Sequence, residues 1–351
     1  MIRIAVDMMG GDCGIDSNVG GILRFIRNYN YNDVVFDLFG NITHLETSIT
    51  KLGGLPIGLC TIHDTGDRMI SSDERASIAI KRGGGTSMFE AISHVALKRA
   101  DAVVSSGNTG AYMALSKTVV GMIPGIIRPA LVSIIPNIRG RSVMLDLGAN
   151  TDCSSIQLAQ FAAMGSAVAK VLLSVDNPSV ALLNIGTERS KGTETLDEAY
   201  KILEGNVNIN FSGFIEGTDI GNGTSDVIVT DGFSGNVSLK TMEGTIMYLL
   251  HLAKEEVSKS FFCKLGYFFC RGMLSSIRNS LDPSRHNGAP LVGLRNIVIK
   301  SHGNADAIGF ATAISSAVTL AKSKFISNIT ENLASLKTDD SGKNPHENRN
   351  K

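Results

Sequence analysis

The sequence lacks most features that mark the common enzyme and binding classes. It has no excess of either charge: Lys plus Arg and Asp plus Glu each number 33, for a formal net charge of zero. A nucleic-acid-binding domain usually carries a basic surplus, so bulk charge gives no support for DNA or RNA as a partner. The cysteines Cys13, Cys60, Cys153, Cys263 and Cys270 contain no C-x-x-C pair. That argues against a zinc ribbon or a dithiol redox site, and an odd count without a framework suggests reduced thiols in the cytoplasm. No apolar run reaches the ~20 residues that a membrane-spanning helix needs. The start, Met1 to Asp7, reads as a first strand and has neither the apolar core nor the cleavage site of a signal peptide. There is no G-x-x-x-x-G-K-S/T phosphate loop, no G-x-G-x-x-G after the first strand and no G-x-S-x-G nucleophile elbow. No His is followed five positions later by Asp, the pattern of glycerol-phosphate acyltransferases. No His, Cys and Asp cluster has metal-ligand spacing, so neither a metal nor a cofactor is expected.

What is present is a glycine-rich globular pattern. With 43% hydrophobic and 19% charged residues and 37 glycines in 351, the chain reads as globular with many tight turns. Short β-branched runs alternate with helical ones. The strands are predicted at Ile2–Val6, Val34–Phe39, Ile57–Ile62, Ala102–Ser105, Leu131–Ile135, Val143–Leu147, Val180–Ile185, Ile209–Phe214, Val227–Thr230 and Ile297–Ser301. Helical patterns lie between most of them, among them Ser17–Arg27, Met88–Lys98, Ser154–Leu173 and Thr193–Leu203. This alternation predicts an α/β protein with a largely parallel sheet covered on both faces. No linker divides the chain, so residues 1–336 are expected to form a single α/β domain. Within it, 235–280 is a projecting helical region without a strand, and Ala305–Leu336 is one final helix packed on the core. Residues 337–351 read as a polar, disordered tail.

Five polar loops directly follow apolar strands and a sixth opens a helix, and in such sheets ligands collect beyond the carboxyl ends of strands. The first holds Gly10, Gly11 and Asp12, where paired glycines let backbone amides face an anion. The second, Lys81 to Ser87, opens a helix whose N-terminus favours phosphate, although Thr86 or Ser87 also suits a simple N-cap. The third holds Gly107, Asn108, Thr109 and Gly110. Three more contain Asp146, Gly148 and Asn150; Asn184 and Gly186, followed by Lys191; and Asp231, Gly232, Gly235 and Asn236. Six such loops on one sheet are expected to gather along one edge as a substrate site. Lys191, in a glycine-flanked loop, is the leading cation, against the blander reading of a surface lysine. His302 also follows a strand and suits either acid–base work or a structural hydrogen bond.

Taken in order, these loops resemble the PlsX family, the acyl-carrier-protein:phosphate acyltransferases of bacterial phospholipid synthesis. The matching stretches are DMMGGD at 7–12, TSMFEAI at 86–92, ADAVVSSGNTGAYMA at 100–114 and RPAL at 128–131. They continue as LDLGAN at 145–150, QFAAMG at 160–165, LLNIGTE at 182–188, DVIVTDGFSGNVSLK at 226–240 and GAPLVGL at 288–294. The departures are Gly83 and Gly84, where the family often has lysines, Arg285-His286-Asn287 before the GAPL stretch, and Met8 in the first motif. The resemblance implies a three-layer α/β/α sandwich like that of phosphotransacetylase and the isocitrate/isopropylmalate dehydrogenases, usually a homodimer. It implies transfer of a long-chain acyl group from acyl carrier protein to inorganic phosphate. The acyl phosphate would feed a membrane acyl-phosphate:glycerol-3-phosphate acyltransferase. Phosphate is its own nucleophile, which suits the missing elbow. Lys191, Asp231, Asn150 and His302 are then the candidate catalytic residues, with Lys191 neutralising charge, Asn150 and Asn108 donating hydrogen bonds and Asp231 positioning Lys191 or accepting a proton. A short-chain phosphotransacetylase and an inactive membrane-surface regulatory protein are the alternatives.

One segment points to a membrane. Plotted as a helix, Val257–Ile277 gathers Val257, Phe261, Phe262, Leu265, Phe268, Phe269 and Met273 on one face, and Lys264, Arg271 and Arg278 on another. No acid occurs between Glu256 and Asp282. An aromatic face beside a basic stripe suits an interfacial helix on anionic lipid, placing the protein on the inner face of the cytoplasmic membrane. The same face also suits a partner subunit.

Overall fold

The computed structural model describes residues 1–29, 33–56, 58–259, 266–273, 285 and 287–336. Its centre is one eleven-stranded sheet. The strands are β1 (Ile2–Asp7), β2 (Val34–Gly40), β3 (Cys60–Asp64), β4 (Ala102–Ser105), β5 (Ala130–Asn137), β6 (Gly140–Leu145), β7 (Ser179–Leu183), β8 (Asn210–Ile215), β9 (Val227–Val229), β10 (Ala289–Val292) and β11 (Ile297–Lys300). Their order is β3-β2-β1-β4-β11-β10-β5-β6-β9-β7-β8. The helices are α1 (Gly14–Asn28), α2 (Ile42–Lys51), α3 (Ala76–Arg82), α4 (Ser87–Ala96), α5 (Thr109–Val119), α6 (Ser155–Leu172), α7 (Glu194–Glu204), α8 (Gly217–Asn222), α9 (Gly232–Lys259), α10 (Ala307–Lys322) and α11 (Phe325–Ala334). Residues 266–273 are also helical.

All ten predicted strands are present, although Ile57, where the third was expected to begin, lies outside the described residues. The strand that the sequence pattern does not show is β10. It is four residues long and contains Pro290, which normally argues against an interior strand. It divides its pairing: Ala289 and Pro290 pair with β11, and Leu291 and Val292 pair with β5. The single final helix is also corrected, because Ser323 takes an extended conformation and separates α10 from α11.

The two halves of the sheet run in opposite senses. β3, β2, β1, β4 and β11 are mutually parallel. Antiparallel pairings of β11 with β10, β10 with β5 and β5 with β6 then reverse the direction. From β6 the sheet is parallel again through β9, β7 and β8. The expectation of six loops along one edge is therefore corrected: the loops after β1 and β4 leave one half, those after β6, β7 and β9 leave the other with opposite sense, and the 83–87 loop joins α3 to α4 rather than ending a strand.

Side-chain alternation sorts the core into layers. On one face a continuous apolar cluster crosses both halves, from Ile4, Val6 and Phe36 through Ile314 of α10 and Phe161 of α6 to Val227 and Val229. On the other face the core is interrupted. One cluster, with Val103, Val298 and Tyr112, lies under α4 and α5. Another, with Met144, Ala181 and Ile228, lies on the second half. Leu131 packs against both. A cleft opens at that joint.

α9 departs from this packing. Of its 28 residues only Gly232 and Gly235 are buried. Leu239 and Met242 rest on the sheet cluster, while Met247, Tyr248 and Leu249 are exposed.

Candidate active site

Three parallel strands end together at the joint. Asp7 closes β1, Ser105 closes β4 and Lys300 closes β11, and the register pairs Asp7 with Ser105 and Ser105 with Lys300. All three therefore lie on one level of one sheet face. Asp7, 1% exposed, accepts the Ser105 hydroxyl at Oδ2 across 2.6 Å and the Ser87 hydroxyl at Oδ1 across 2.7 Å. Burial raises its pKa, against the lowering effect of those hydroxyls. Lys300 is 7% exposed. Its ammonium donates to the carbonyls of Ser106 and Ser301. Desolvation brings its pKa down to about 8, with Asp7 and Asp12 opposing.

The glycine loops close around this row. A Cβ built on Gly10 would lie 2.6 Å from Asp7 Oδ2 and 2.7 Å from the Gly107 nitrogen, so the first and third loops touch only because glycine stands there. Ser106 donates its hydroxyl to the Gly10 carbonyl across 2.8 Å, and the Asp12 amide donates to Gly303 across 2.7 Å. Thr109 and Gly110 open α5 with their amides in its first turn, where the dipole favours an anion.

A narrow slot joins this half to the other. It has a volume of about 40 Å³ and is lined by Thr109, Tyr112, Met113, Leu131, Leu147, Gly148, Ala149, Leu291 and Lys300. Lys300 and the two hydroxyl residues Thr109 and Tyr112 thus stand among largely apolar walls.

Across the slot the loop after β6 is organised by Asp146, which is fully buried. It accepts from the amides of Leu131, Ala149 and Asn150 and from the Asn150 side chain. The Asn150 side-chain amide donates to Pro129 and to Asp146, so both its N–H groups are occupied inside the protein. The next loop is a helix start. Asp231 accepts from the Ser234 amide and hydroxyl, and Gly232, Gly235 and Asn236 fall within α9. Gly235 presses so closely on the Asp146 carbonyl that a Cβ there would overlap it, and Gly148 packs beneath Asn236.

The structure thus distributes the sequence-predicted residues unequally. Gly10, Gly11, Asp12, Gly107, Thr109 and Gly110 surround the strand-end row, and Gly148 meets it across the slot. Thr86 is the N-cap of α4, accepting from Phe89, while Ser87 holds Asp7. Asn108 caps α5 and donates to the carbonyls of Ser71, Ser72 and Glu74, so it ties down a neighbouring loop. His302 is exposed in the turn after β11. Desolvation by the surrounding protein lowers its pKa, Glu243 of α9 opposes, and Lys300 and Lys240 add to the lowering. Lys191 does not pair with Asp231; its ammonium bonds Glu188 across 3.0 Å and its side chain is 50% exposed. Asn184 donates to the Lys191 carbonyl and closes that loop, including Gly186, on itself.

Asp7, Ser105, Ser106 and Lys300 are absent from the sequence-predicted set. The available signal was a lysine ending the apolar run Ile297–Lys300 directly before a Ser-His-Gly turn. Metal-ligand spacing is absent from the sequence, but folding brings together Asp37, His63 and His94 from β2, β3 and α4. Cys153 lies beside the Asp146 loop, buried, with its thiol pushed up to about 12 by desolvation and by Asp146. It is unsuited to act as a nucleophile.

An α/β/α sandwich whose loops surround one buried ammonium defines the class, and solved structures share the fold. A phosphotransacetylase from Streptococcus pyogenes superposes with a TM-score of 0.61 at 17% identity, covering 91% of this chain and 94% of that one. A branched-chain phosphotransacylase from Enterococcus faecalis V583 gives 0.57 at 12% identity, covering 92% and 99%. The chain belongs to the family described as fatty acid synthesis protein, whose model matches residues 2–328. A phosphate acyltransferase of Paramagnetospirillum magneticum is 41% identical over 320 residues, 91% of this chain and 90% of that one. A phosphate acyltransferase of Agrobacterium fabrum is 43% identical over 317 residues, 90% and 89% of the two chains.

Proposed function

We propose that this protein transfers a long-chain fatty acyl group from the thioester of acyl carrier protein to inorganic phosphate, giving acyl phosphate and free carrier thiol. The observation that carries the reading is Lys300: one buried ammonium at the end of an apolar slot, flanked by amide-rich loops from both halves of the sheet. The relatives named phosphate acyltransferase support it, with about nine-tenths of each chain aligned.

The chemistry follows from the groups. A phosphate oxygen attacks the thioester carbonyl carbon, the carbonyl oxygen becomes an oxyanion, and its collapse breaks the C–S bond. The proton of monohydrogen phosphate ends on the departing thiolate, so atoms and charge balance without a further reactant. The amides of Thr109 and Gly110 that open α5 hold the phosphate, where fixed donors need no reorganisation. Lys300 neutralises the developing charge. With a pKa of about 8 it lies near the ~8.5 of an ordinary thiol, so it can protonate the leaving sulfur and recover the proton from phosphate. The slot admits the reacting end of the acyl group between Met113, Leu131, Leu147 and Leu291.

The assay is purified protein with palmitoyl-carrier protein, acetyl-coenzyme A and phosphate, reading acyl phosphate. Turnover of palmitoyl-carrier protein is expected. Acetyl phosphate alone would indicate a short-chain phosphotransacetylase, and no product from either would indicate an inactive regulatory protein.

Delivery to a membrane acyl-phosphate:glycerol-3-phosphate acyltransferase favours work at the inner face of the cytoplasmic membrane. Tyr267, Phe268, Phe269 and Met273 are exposed in the helical segment 266–273, and Arg271 lies over the Phe268 ring. Phe261, Phe262, Lys264 and Leu265 lie outside the described residues, as do 337–351. Among the described residues no helix is long and apolar enough to cross a membrane. An exposed aromatic patch with a guanidinium suits anionic lipid headgroups. A homodimer partner is the competing cover for this patch.

A further inference from the structure

We propose that Asp37, His63 and His94 bind a divalent transition-metal ion, zinc being the best match, at a site separate from the acyl slot. The three donors come from three elements. Asp37 lies in the middle of β2, and His63 lies on β3, opposite Phe39 in the register. Asp37 and His63 therefore project from the same sheet face as diagonal neighbours. His94 comes down from the last turn of α4.

The geometry is that of a metal site. His63 Nε2 is 3.2 Å from Asp37 Oδ1, and His94 Nε2 is 3.2 Å from Asp37 Oδ2. The three donor atoms all lie within 4.8 Å of one another. Ligands about 2.0–2.1 Å from a tetrahedral zinc stand roughly 3.4 Å apart, so small rotations complete the set. The Phe39 ring fixes both imidazoles. His63 stacks on it at 4.6 Å between centroids, and His94 meets it edge-on at 5.2 Å. The Asp37 side chain is 2% exposed, so the carboxylate cannot turn to water. Arg3 Nη1 lies 3.0 and 3.2 Å from its two oxygens, the kind of outer partner that orients a ligating carboxylate.

The donor set selects the ion. Two imidazole nitrogens and one carboxylate suit zinc and neighbouring first-row dications; magnesium and calcium prefer oxygen ligands alone. One side opens to a cleft of about 580 Å³ that Glu90 and Ser93 also line, giving an entry path and a fourth position for water. The site would tie β2, β3 and α4 together. The first residue of α4, Ser87, holds Asp7, so the ion would steady the active-site end of that helix without touching the substrate.

Metal binding decides the proposal. Metal-free full-length protein is dialysed against Zn²⁺ and Co²⁺, and bound metal is counted by elemental analysis. Wild type is expected to hold one equivalent, with a cobalt spectrum of low coordination number. Zinc should raise its melting temperature in a concentration-dependent way. The variant His63→Gln/His94→Gln keeps polar side chains toward Asp37 but removes both imidazoles. It should lose at least ~10-fold in affinity, the scale seen even for outer-shell changes. His44→Gln, at an exposed histidine elsewhere, should bind like wild type. If the double variant does not fold, His63→Gln alone decides by the same measure. A wild type that takes up no stoichiometric metal overturns the proposal, and so does a folded variant that binds as tightly as wild type. Either outcome would leave the cluster as two imidazoles donating to Asp37 beside Arg3. Acyl transfer is not the readout, so the proposed reaction can fail without affecting this test.

Discussion

Lys300 and Ser105 face each other in register as the last residues of two adjacent parallel strands, and the Ser105 hydroxyl donates a hydrogen bond to Asp7 across 2.6 Å. An ammonium, a hydroxyl and a carboxylate thus share one level of the sheet at the cleft between its halves. The backbone ladder sets their spacing, so the row is rigid in a way that a loop is not.

Replacing the ammonium should remove most of the turnover. Lys300→Met keeps the length of the side chain and its apolar stem. We expect kcat for acyl phosphate formation to fall at least ~10²-fold, the scale of losing one oxyanion donor, with a wild-type circular dichroism spectrum. A folded variant with near-normal kcat would remove Lys300 from the mechanism.

The same lysine should leave a mark on stability. Its pKa is about 8 in the folded protein against an ordinary 10.5. Between these values the unfolded chain holds a proton that the folded chain has shed. Stability therefore rises with pH across that window, and the cost of burying the ammonium is fully present below it. Urea midpoints of wild type measured against Lys300→Met should improve for wild type between about pH 7.5 and about pH 10. A constant difference would mean that the lysine titrates normally.

Lys191 and Lys300 should separate kinetically. Lys191 is half exposed and bonded to Glu188, and such surface pairs exchange at little cost. We propose that it captures phosphate as an outer cation. Lys191→Ala should then raise KM for phosphate several-fold and leave kcat nearly unchanged. A fall in kcat as large as that of Lys300→Met would place it at the reacting atoms.

Gly10→Ala probes the contact between the first and third loops. The added Cβ would reach the Asp7 carboxylate and the Gly107 backbone. Overpacking of this kind costs about 1–3 kcal/mol. A lowered melting temperature and a large loss of activity are expected together. Gly14→Ala tests another cost, because its Cβ would meet no atom within 4 Å but its backbone has a φ of +70°. It should lower stability modestly and leave kcat intact.

Vesicle flotation tests the exposed aromatics. Wild type should float with anionic vesicles and less with neutral ones, and Phe268→Glu/Phe269→Glu should float with neither. Equal flotation of the variant would clear these residues of the role. Conversion to a monomer in sedimentation velocity would assign them to a subunit interface.

Much was legible from sequence alone. Runs such as Ala102–Ser105 and Val227–Thr230 are apolar on both faces because β4 and β9 are covered by helices on both sides, and that pattern is local. Each glycine-rich turn is local as well, since its composition reflects only the backbone near it. β10 was not legible, because a four-residue segment holding Pro290 carries no periodic signal. The reversal of the sheet through β10 and β5 followed from that omission.

The sequence by itself determined the alternation of strands and helices, the positions of the strand-end loops and, through its ordered motifs, the family. These are properties of short stretches, where propensity and periodicity act over a few residues. Only the tertiary structure decided what each polar side chain faces. Asn150 and Asp231, which read as donors and bases, turned inward to satisfy their own turns. Lys300, which read as the end of a strand, became the buried charge at the slot. Asp37, His63 and His94, far apart in the chain, met on one sheet face. The reason is physical: whether a side chain stays in water, caps a helix or is desolvated beside a carboxylate depends on neighbours brought by the sheet from distant parts of the chain.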